Sequence, residues 1–444
     1  MWFRTDLRLH DHPALLAARD AGPDGVVPLF VLDDHYWGPG ASTRQAYLVR
    51  LMADFDERLE QGLHVEHGRP AEEVLRIARA VGADTVHVTA DFTPYGADRD
   101  AAVEQALAEH DIELVRTGSA YAVSPGRITK GDGEHYKVFT PFYRAWREHG
   151  WREPAPQAQT VPWLRPEGRT HRIPEASPPD GLELPPVGER AARRRWQQWR
   201  NHLGEYDDVR DLPGRDLTSR MSLHLKWGSI HPRTLLADLD PNDPGAEAYG
   251  RELAFREFYA DVLHHRPDSA FGYYDKRFEA MEYDHPGGDL QAWKDGRTGF
   301  PIVDAGMRQL RATGWMHNRV RMIVASFLVK DLHLEWTVGA AHFLDLLVDG
   351  DLASNQHGWQ WVAGCGTDAS PYFRVFNPIT QGKKFDPDGR YVRQWVPELR
   401  EIEGAKVHEP WTLADPPADY PAPIVDHAEE RREALRRYDA LRSG

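Results

Sequence analysis

The stretch "VVPLFVLDD" (Val26–Asp34) is a short apolar run that ends on two carboxylates. After it comes "STRQAYLVRLMADFDERLEQG" (Ser42–Gly62), with apolar residues at helical spacing and a glycine stop. A buried strand feeding an amphipathic helix is half of a strand–helix–strand unit. "GLHVEHG" (Gly62–Gly68) completes it. The alternation then continues through "PAEEVLRIARAVG" (Pro70–Gly82), "DTVHVTADF" (Asp84–Phe92) and "DRDAAVEQALAEHDIELVRTG" (Asp98–Gly118). Such repetition predicts an α/β domain built on a doubly wound parallel sheet, with helices on both faces. Ligands of these sheets sit at the carboxyl ends of the strands, which singles out Asp33, Asp34 and Asp91. The opening "MWFRTDLRLHDHPAL" begins almost in a loop. Either the first strand is short, or Met1 lies downstream of the true start.

From Trp151 to Pro186 the chain is proline-rich and carries few periodic apolar residues, as a surface connection does. Beyond it the sequence reads as helical in "ERAARRRWQQWRNHL", "AYGRELAFREFYADVLHH", "IVDAGMRQLRATG", "NRVRMIVASFLVKDL" and the terminal "VDHAEERREALRRYDALRSG". No internal repeat or low-complexity tract appears. The predicted organisation is an α/β domain over 1–125, a long linker over 126–189 and a larger all-α domain over 190–444.

With 444 residues the chain exceeds one ordinary core. A formal net charge of -15 argues against indiscriminate nucleic-acid binding, but not against a local basic groove. The one cysteine, Cys365, excludes intramolecular disulfides and cysteine-clustered metal sites, which fits a reducing cytoplasm. No apolar run has membrane-spanning length, and no apolar signal segment opens the chain. The absence of a GxGxxG loop, a P-loop and a GxSxG elbow leaves nicotinamide dehydrogenases, nucleotide kinases and serine hydrolases without support.

The chemistry-bearing residues fall in the helical part. In "YDDVRDLPGRDLTSRMSLHLKWG", Thr218, Ser219 and Ser222 sit near a predicted helix start, with Tyr206 and Arg210 before them. Hydroxyls and open backbone N–H groups there suit phosphate oxygens, although by themselves these residues read first as a plain helix cap. In "VDGDLASN", Asp349, Asp351 and Asn355 offer acceptors and an amide to the edge of a heteroaromatic ring, or cap a helix. Arg321 is a partner for one of the aspartates. "GWQWVAGCGTD" spends two indoles, Trp359 and Trp361, at alternate positions. Core packing explains one of them. The run "RAARRRW" reads as a solvated helix face.

Taken together, "WFRTDLRLHDHPAL", "YKVFTPFYRAW", "TSRMS", "GRTGFPIVDAGMRQLRATGWMHNRVRMIVASFLVKDL", "DGDLASN" and "GWQWVAGCGTDASPYFRVFNP" resemble the photolyase/cryptochrome family over nearly the whole chain. Within it they look like the class I photolyases acting on cyclobutane pyrimidine dimers. The resemblance implies FAD, active in its reduced form and held in the helical domain. Tyr206, Thr218, Ser219, Arg220, Met221 and Ser222 match its phosphate and ribose contacts. Arg321, Asp349, Gly350 and Asp351 match contacts to the ring system, and Asn355 matches the residue facing flavin N5. Plant-type cryptochromes carry Asp at that place.

Trp359 and Trp336 resemble the first two members of an electron-transfer chain, with Tyr283 in the slot of the usual surface Trp. Trp293 is an alternative exit. Trp361 resembles a wall of the lesion pocket. Glu252 matches the carboxyl group that bonds the dimer, and Arg210 and Arg374 match phosphate contacts. Asn318 and Met322 match the dimer photolyases, where the (6-4) photolyases carry His at both places. Tyr283 is one of three departures; in the other two, Phe255 and Tyr249 stand where many relatives have Trp.

Phe30, Arg44, Asp91 and Lys226 match an 8-hydroxy-5-deazaflavin antenna site. Tyr95-Gly96 replaces the Asn-Glu pair of folate binders, and an empty site is the other alternative. The implied partner is UV-damaged DNA, with no metal, no membrane and no obligate protein partner. A cytoplasmic monomer is expected. The rival reading is a cryptochrome-like blue-light sensor that binds FAD without repair.

Overall fold

The computed structural model describes residues 1–38, 42–60, 62–166, 172–368 and 373–443, so residues 369–372 of the last motif lie outside the described residues. The N-terminal elements are β1 (Trp2–Phe3), α1 (Pro13–Ala21), β2 (Leu29–Asp33), α2 (Thr43–Arg58), β3 (His64–Gly68), α3 (Pro70–Ala80), β4 (Thr85–Ala90), α4 (Pro94–Ala108), β5 (Glu113–Ser119) and α5 (Phe139–His149). Helices follow: α6 (Gly188–Trp199), α7 (Tyr206–Val209), α8 (Met221–Lys226), α9 (Pro232–Leu236), α10 (Pro244–His265), α11 (Gly288–Asp295) and α12 (Pro301–Thr313). The last are α13 (Asn318–Lys330), α14 (Trp336–Leu346), α15 (Leu352–Ala363), α16 (Pro378–Phe385), α17 (Arg390–Trp395) and α18 (His427–Ser443). A parallel α/β region thus leads into a large all-α region, as the sequence pattern predicts. No helix among the described residues is long and apolar enough to cross a membrane.

All strand pairs are parallel, in the orders β1-β2-β3 and β4-β5. The first strand is short. After Phe3 the backbone turns, and Arg4 N donates to Asp6 Oδ1 at 2.7 Å. The joint between the two groups of strands is carried by side chains instead. Thr89 Oγ1 donates to Asp6 Oδ2 at 2.6 Å, and Arg4 pairs with Asp100. Alternation then sets the two faces. Trp2, Leu29, Val31, Val86 and Val88 pack with Val74 and Ile77 of α3 and with Val103 and Leu107 of α4. Phe3 points the other way, edge-on to Phe55 of α2 and to His12.

The chain packs into two compact units. Unit 1 comprises Met1–Asp180, Leu184–Asn201 and Ser219–Pro267, and unit 2 comprises Gly181–Glu183, His202–Thr218 and Asp268–Gly444. Residues 126–189, read from sequence as a connection, contain α5. Its buried face is Phe139, Phe142, Tyr143 and Trp146, at helical spacing. That face packs on α10. Glu257 of α10 accepts from Ala122 N, from Val123 N at 3.1 Å and from Trp146 Nε1 at 2.6 Å. These buried bonds, with His231 against Ser119 O at 2.9 Å, tie the α8–α10 segment to the sheet region. Unit 2 has its own core, in which Trp293, Phe327, Trp336 and Trp359 are buried among α11–α15.

Candidate functional site

Unit 1 carries the hydroxyl-rich turn before α8. Arg220, its N-cap residue, is held at φ +57°, in the left-handed region that a bulky residue seldom adopts. Ser219 Oγ accepts from Met221 N at 3.2 Å and from the Tyr249 hydroxyl at 3.0 Å. With both lone pairs used, the Ser219 proton is what remains to offer, and it suits an anion. Tyr249 is buried against Trp196 and Trp199, with ring centroids 5.3 and 4.9 Å away. Burial raises its phenol pKa, and the nearby Glu252 carboxylate adds to the rise. Glu252 and Phe255 follow one turn apart on α10. One face of Phe255 is already covered, because Phe139 stacks on it at 3.4 Å between centroids. At most one face is left for a base.

The proposed antenna residues lie in unit 1, with Asp91 just past the end of β4. Asp91 accepts from Thr93 N and Thr93 Oγ1 at 3.0 and 2.9 Å and pairs with Arg99 at 3.1 Å. Burial opposes its charge, yet Arg4 and Arg99 hold its pKa below the usual value. Phe30 of β2 is buried, Arg44 of α2 is half-buried, and Lys226 ends α8. The Tyr95 hydroxyl donates to Asp33, with both carboxylate oxygens at 2.8 Å, and His35 stacks on the Tyr95 ring at 3.7 Å. A Cβ on Gly96 would stand 2.2 Å from Asp91 Cγ, so no side chain fits there without moving Asp91.

Unit 2 carries the carboxylates and the indoles. Arg321 Nη2 lies 3.0 and 2.9 Å from the two oxygens of Asp349, and Arg321 Nε donates to Met316 O at 2.7 Å. Asp351 caps α15 by accepting from Ser354 N at 2.9 Å. Asn355 Nδ2 donates to Ala340 O at 3.1 Å and to Gln356 Oε1 at 2.9 Å. What Asn355 can present to a ligand is therefore its carbonyl oxygen. Asn318 is exposed and Met322 half-buried, four residues apart on α13. Arg210 lies over the Tyr206 ring at 6.0 Å. Lys330 Nζ bonds Arg374 O and sits 4.1 Å from the Phe373 ring centroid.

The paired indoles diverge. Trp359 is buried against Phe343 and Trp293, with centroids 4.9 and 6.3 Å away. Trp361 is half-buried, and its Nε1 donates to Asp368 O at 3.1 Å. Gln360 between them is fully buried and satisfied at both ends, accepting from Tyr274 N and donating to Ser269 O at 2.8 Å each. Two residues apart on α15, the indoles point to opposite sides of the helix, and the Gln360 amide fixes that helix against Tyr274 and Ser269. Trp336 is fully buried, and its ring neighbour is Tyr273, 6.2 Å away.

Residues 1–161 match the model of DNA photolyase, and residues 249–440 match the FAD binding domain of DNA photolyase. A deoxyribodipyrimidine photo-lyase of Streptomyces griseus is 44% identical, over 97% of this chain and 96% of that protein. The chain belongs to the DNA photolyase family. A crystal structure of a bacterial class III photolyase from Agrobacterium tumefaciens has a TM-score of 0.92 at 35% identity, covering 100% of this chain and 97% of that one. An archaeal photolyase from Sulfolobus tokodaii, solved with two FAD molecules, has a TM-score of 0.84 at 29% identity, covering 99% of each chain.

Taken unit by unit, the donors present suit parts of FAD. In unit 1 the Ser219 proton suits a phosphate oxygen. In unit 2 the Arg321–Asp349 pair and the Asn355 carbonyl suit a ring edge that both donates and accepts. Sequence reasoning missed Tyr273, Glu335 and Gly339. The glycine had a signal, since a glycine inside a helix often marks close approach. A Cβ on Gly339 would stand 2.2 Å from Trp359 Cη2 and 2.5 Å from Leu328 Cδ2. Gly339→Ala is therefore expected to destabilise the protein by about 1–3 kcal/mol through overpacking. Denaturant midpoints read this directly, and an unchanged midpoint would show that Trp359 has room to move.

Proposed function

We propose that the chain repairs cyclobutane pyrimidine dimers in DNA by light-driven electron transfer, as a class I photolyase with FAD. The observation that carries the substrate is the pair Asn318 and Met322 on an accessible face of α13, where (6-4) photolyases have His at both places. Bound FAD, in its reduced form, supplies the electron under blue or near-UV light.

Tyr206, Thr218, Ser219, Arg220, Met221 and Ser222 are assigned to its phosphates and ribose. Arg321, Asp349, Gly350 and Asp351 are assigned to the ring system, with the Asn355 carbonyl accepting from a ring N–H. The flipped dimer costs a few kcal/mol to unstack, roughly 1–3 kcal/mol of which each aromatic face returns per base. Trp361 and the open face of Phe255 supply those faces. Glu252 hydrogen-bonds the dimer and stabilises the negative charge under which the cyclobutane bonds split. Arg210 and Arg374 meet phosphates. An 8-hydroxy-5-deazaflavin antenna at Phe30, Arg44, Asp91 and Lys226 is favoured over a folate, because Gly96 admits no side chain beside Asp91.

A blue-light sensor without repair is the other reading. Binding to UV-irradiated and untreated duplexes separates the two. The repair enzyme is expected to prefer the irradiated duplex strongly, and equal binding would contradict the proposal.

A further inference from the structure

Tyr273 connects an indole to a carboxylate. Its ring meets Trp336 edge to face, with centroids 6.2 Å apart, and its hydroxyl donates to Glu335 Oε1 at 2.7 Å. Glu335 directly precedes Trp336 as N-cap residue of α14, yet its side chain caps no amide. Its carboxylate is thereby left to the phenol. Tyr283 is near enough to add to the rise of the Tyr273 phenol pKa. Trp336 is fully buried, and its Nε1 has no hydrogen-bond partner among the described residues. An oxidised Trp336 has no base on its own ring nitrogen to take its proton, so it stays cationic until a neighbour reduces it.

We propose that Tyr273 reduces oxidised Trp336 by coupled loss of an electron and a proton, with Glu335 as the proton acceptor. The inference rests on the reading of Trp359 and Trp336 as a redox chain, in which light-excited oxidised flavin is the one-electron oxidant. The Tyr273 phenol gives one electron to the Trp336 radical cation. Its O–H bond breaks, and the proton goes to the Glu335 carboxylate. The products are neutral Trp336, a neutral Tyr273 phenoxyl radical and the Glu335 carboxylic acid. An external thiol then restores the phenol by hydrogen-atom donation, and Glu335 returns its proton to solvent.

The proton must move because a phenol cation radical is a strong acid, and burial makes a bare charge there costly. Burial also raises the pKa of both phenols, so neither is ionised in advance. Tyr273 is thus the redox residue next to Trp336, and Glu335 is its base.

The test loads the protein with oxidised FAD, labels it with ring-deuterated tyrosine, and traps it by freezing after illumination. Electron paramagnetic resonance then identifies the radical. The wild type is expected to give a neutral tyrosyl signal that narrows with the label. Tyr273→Phe is expected to lose that signal and leave a tryptophan radical. Glu335→Gln keeps an oxygen in place but is no base, so tyrosyl formation should slow by about 100-fold. A tyrosyl signal that persists in Tyr273→Phe, or an unchanged rate in Glu335→Gln, overturns the proposal. Trp359→Phe tests the parent reading separately. Radical formation that survives in that variant sinks the chain itself, whereas its loss there with an unaltered Tyr273→Phe signal sinks only the role of Tyr273.

Discussion

Glu252→Ala is expected to lower light-driven dimer repair by about 100- to 1000-fold, the cost of removing a preorganised hydrogen bond to a developing charge. Glu252 is half-buried on α10, a turn after buried Tyr249 and a turn before Phe255. Its carboxyl group lies close enough to Tyr249 to raise the pKa of that phenol. On the proposed reading, the bond it makes with the dimer strengthens as the dimer takes up negative charge. Glu252→Gln retains a hydrogen-bond donor and should keep much more activity than the alanine variant. Bound-flavin absorbance is expected to stay the same in both. Repair at the wild-type rate in Glu252→Ala would remove Glu252 from the lesion site.

The second large effect is on stability. Asp349 is almost fully buried, while Arg321 keeps a quarter of its side-chain surface exposed. Asp349→Ala would leave the Arg321 guanidinium partly buried beside an unfilled space. Breaking such a pair from one side costs about 3–5 kcal/mol. Chemical denaturation should show a lowered midpoint, and FAD retention through gel filtration should fall with it. Replacing both residues by apolar side chains of similar volume should recover most of the stability without recovering flavin. A loss below about 1 kcal/mol in Asp349→Ala, the scale of an exposed pair, would mean that the bridge behaves as a surface contact.

The α/β region was legible because strand and helix periods are local. Leu29–Asp33 and Thr43–Arg58 fall inside the stretches read as strand and helix. The fate of α10 was not legible. Its sequence says helix, but its attachment to α5 depends on Glu257 reaching Ala122, Val123 and Trp146, contacts more than a hundred residues apart. The alternate indoles of "GWQW" were legible as a puzzle, and the helical period of α15 explains how one turn sends them to different places. Tyr273 carries no local signal. "FGYYDKRF" reads as an aromatic loop, and only the fold brings its phenol to Glu335.

The measurement that bears most directly on function is repair of a thymine-dimer oligonucleotide by the purified protein with its flavin fully reduced, in blue light and in darkness. Restoration of the thymines in light, and none in darkness, is the predicted result. No repair in light, with reduced flavin demonstrably bound, would contradict the repair reading and leave a light sensor in its place.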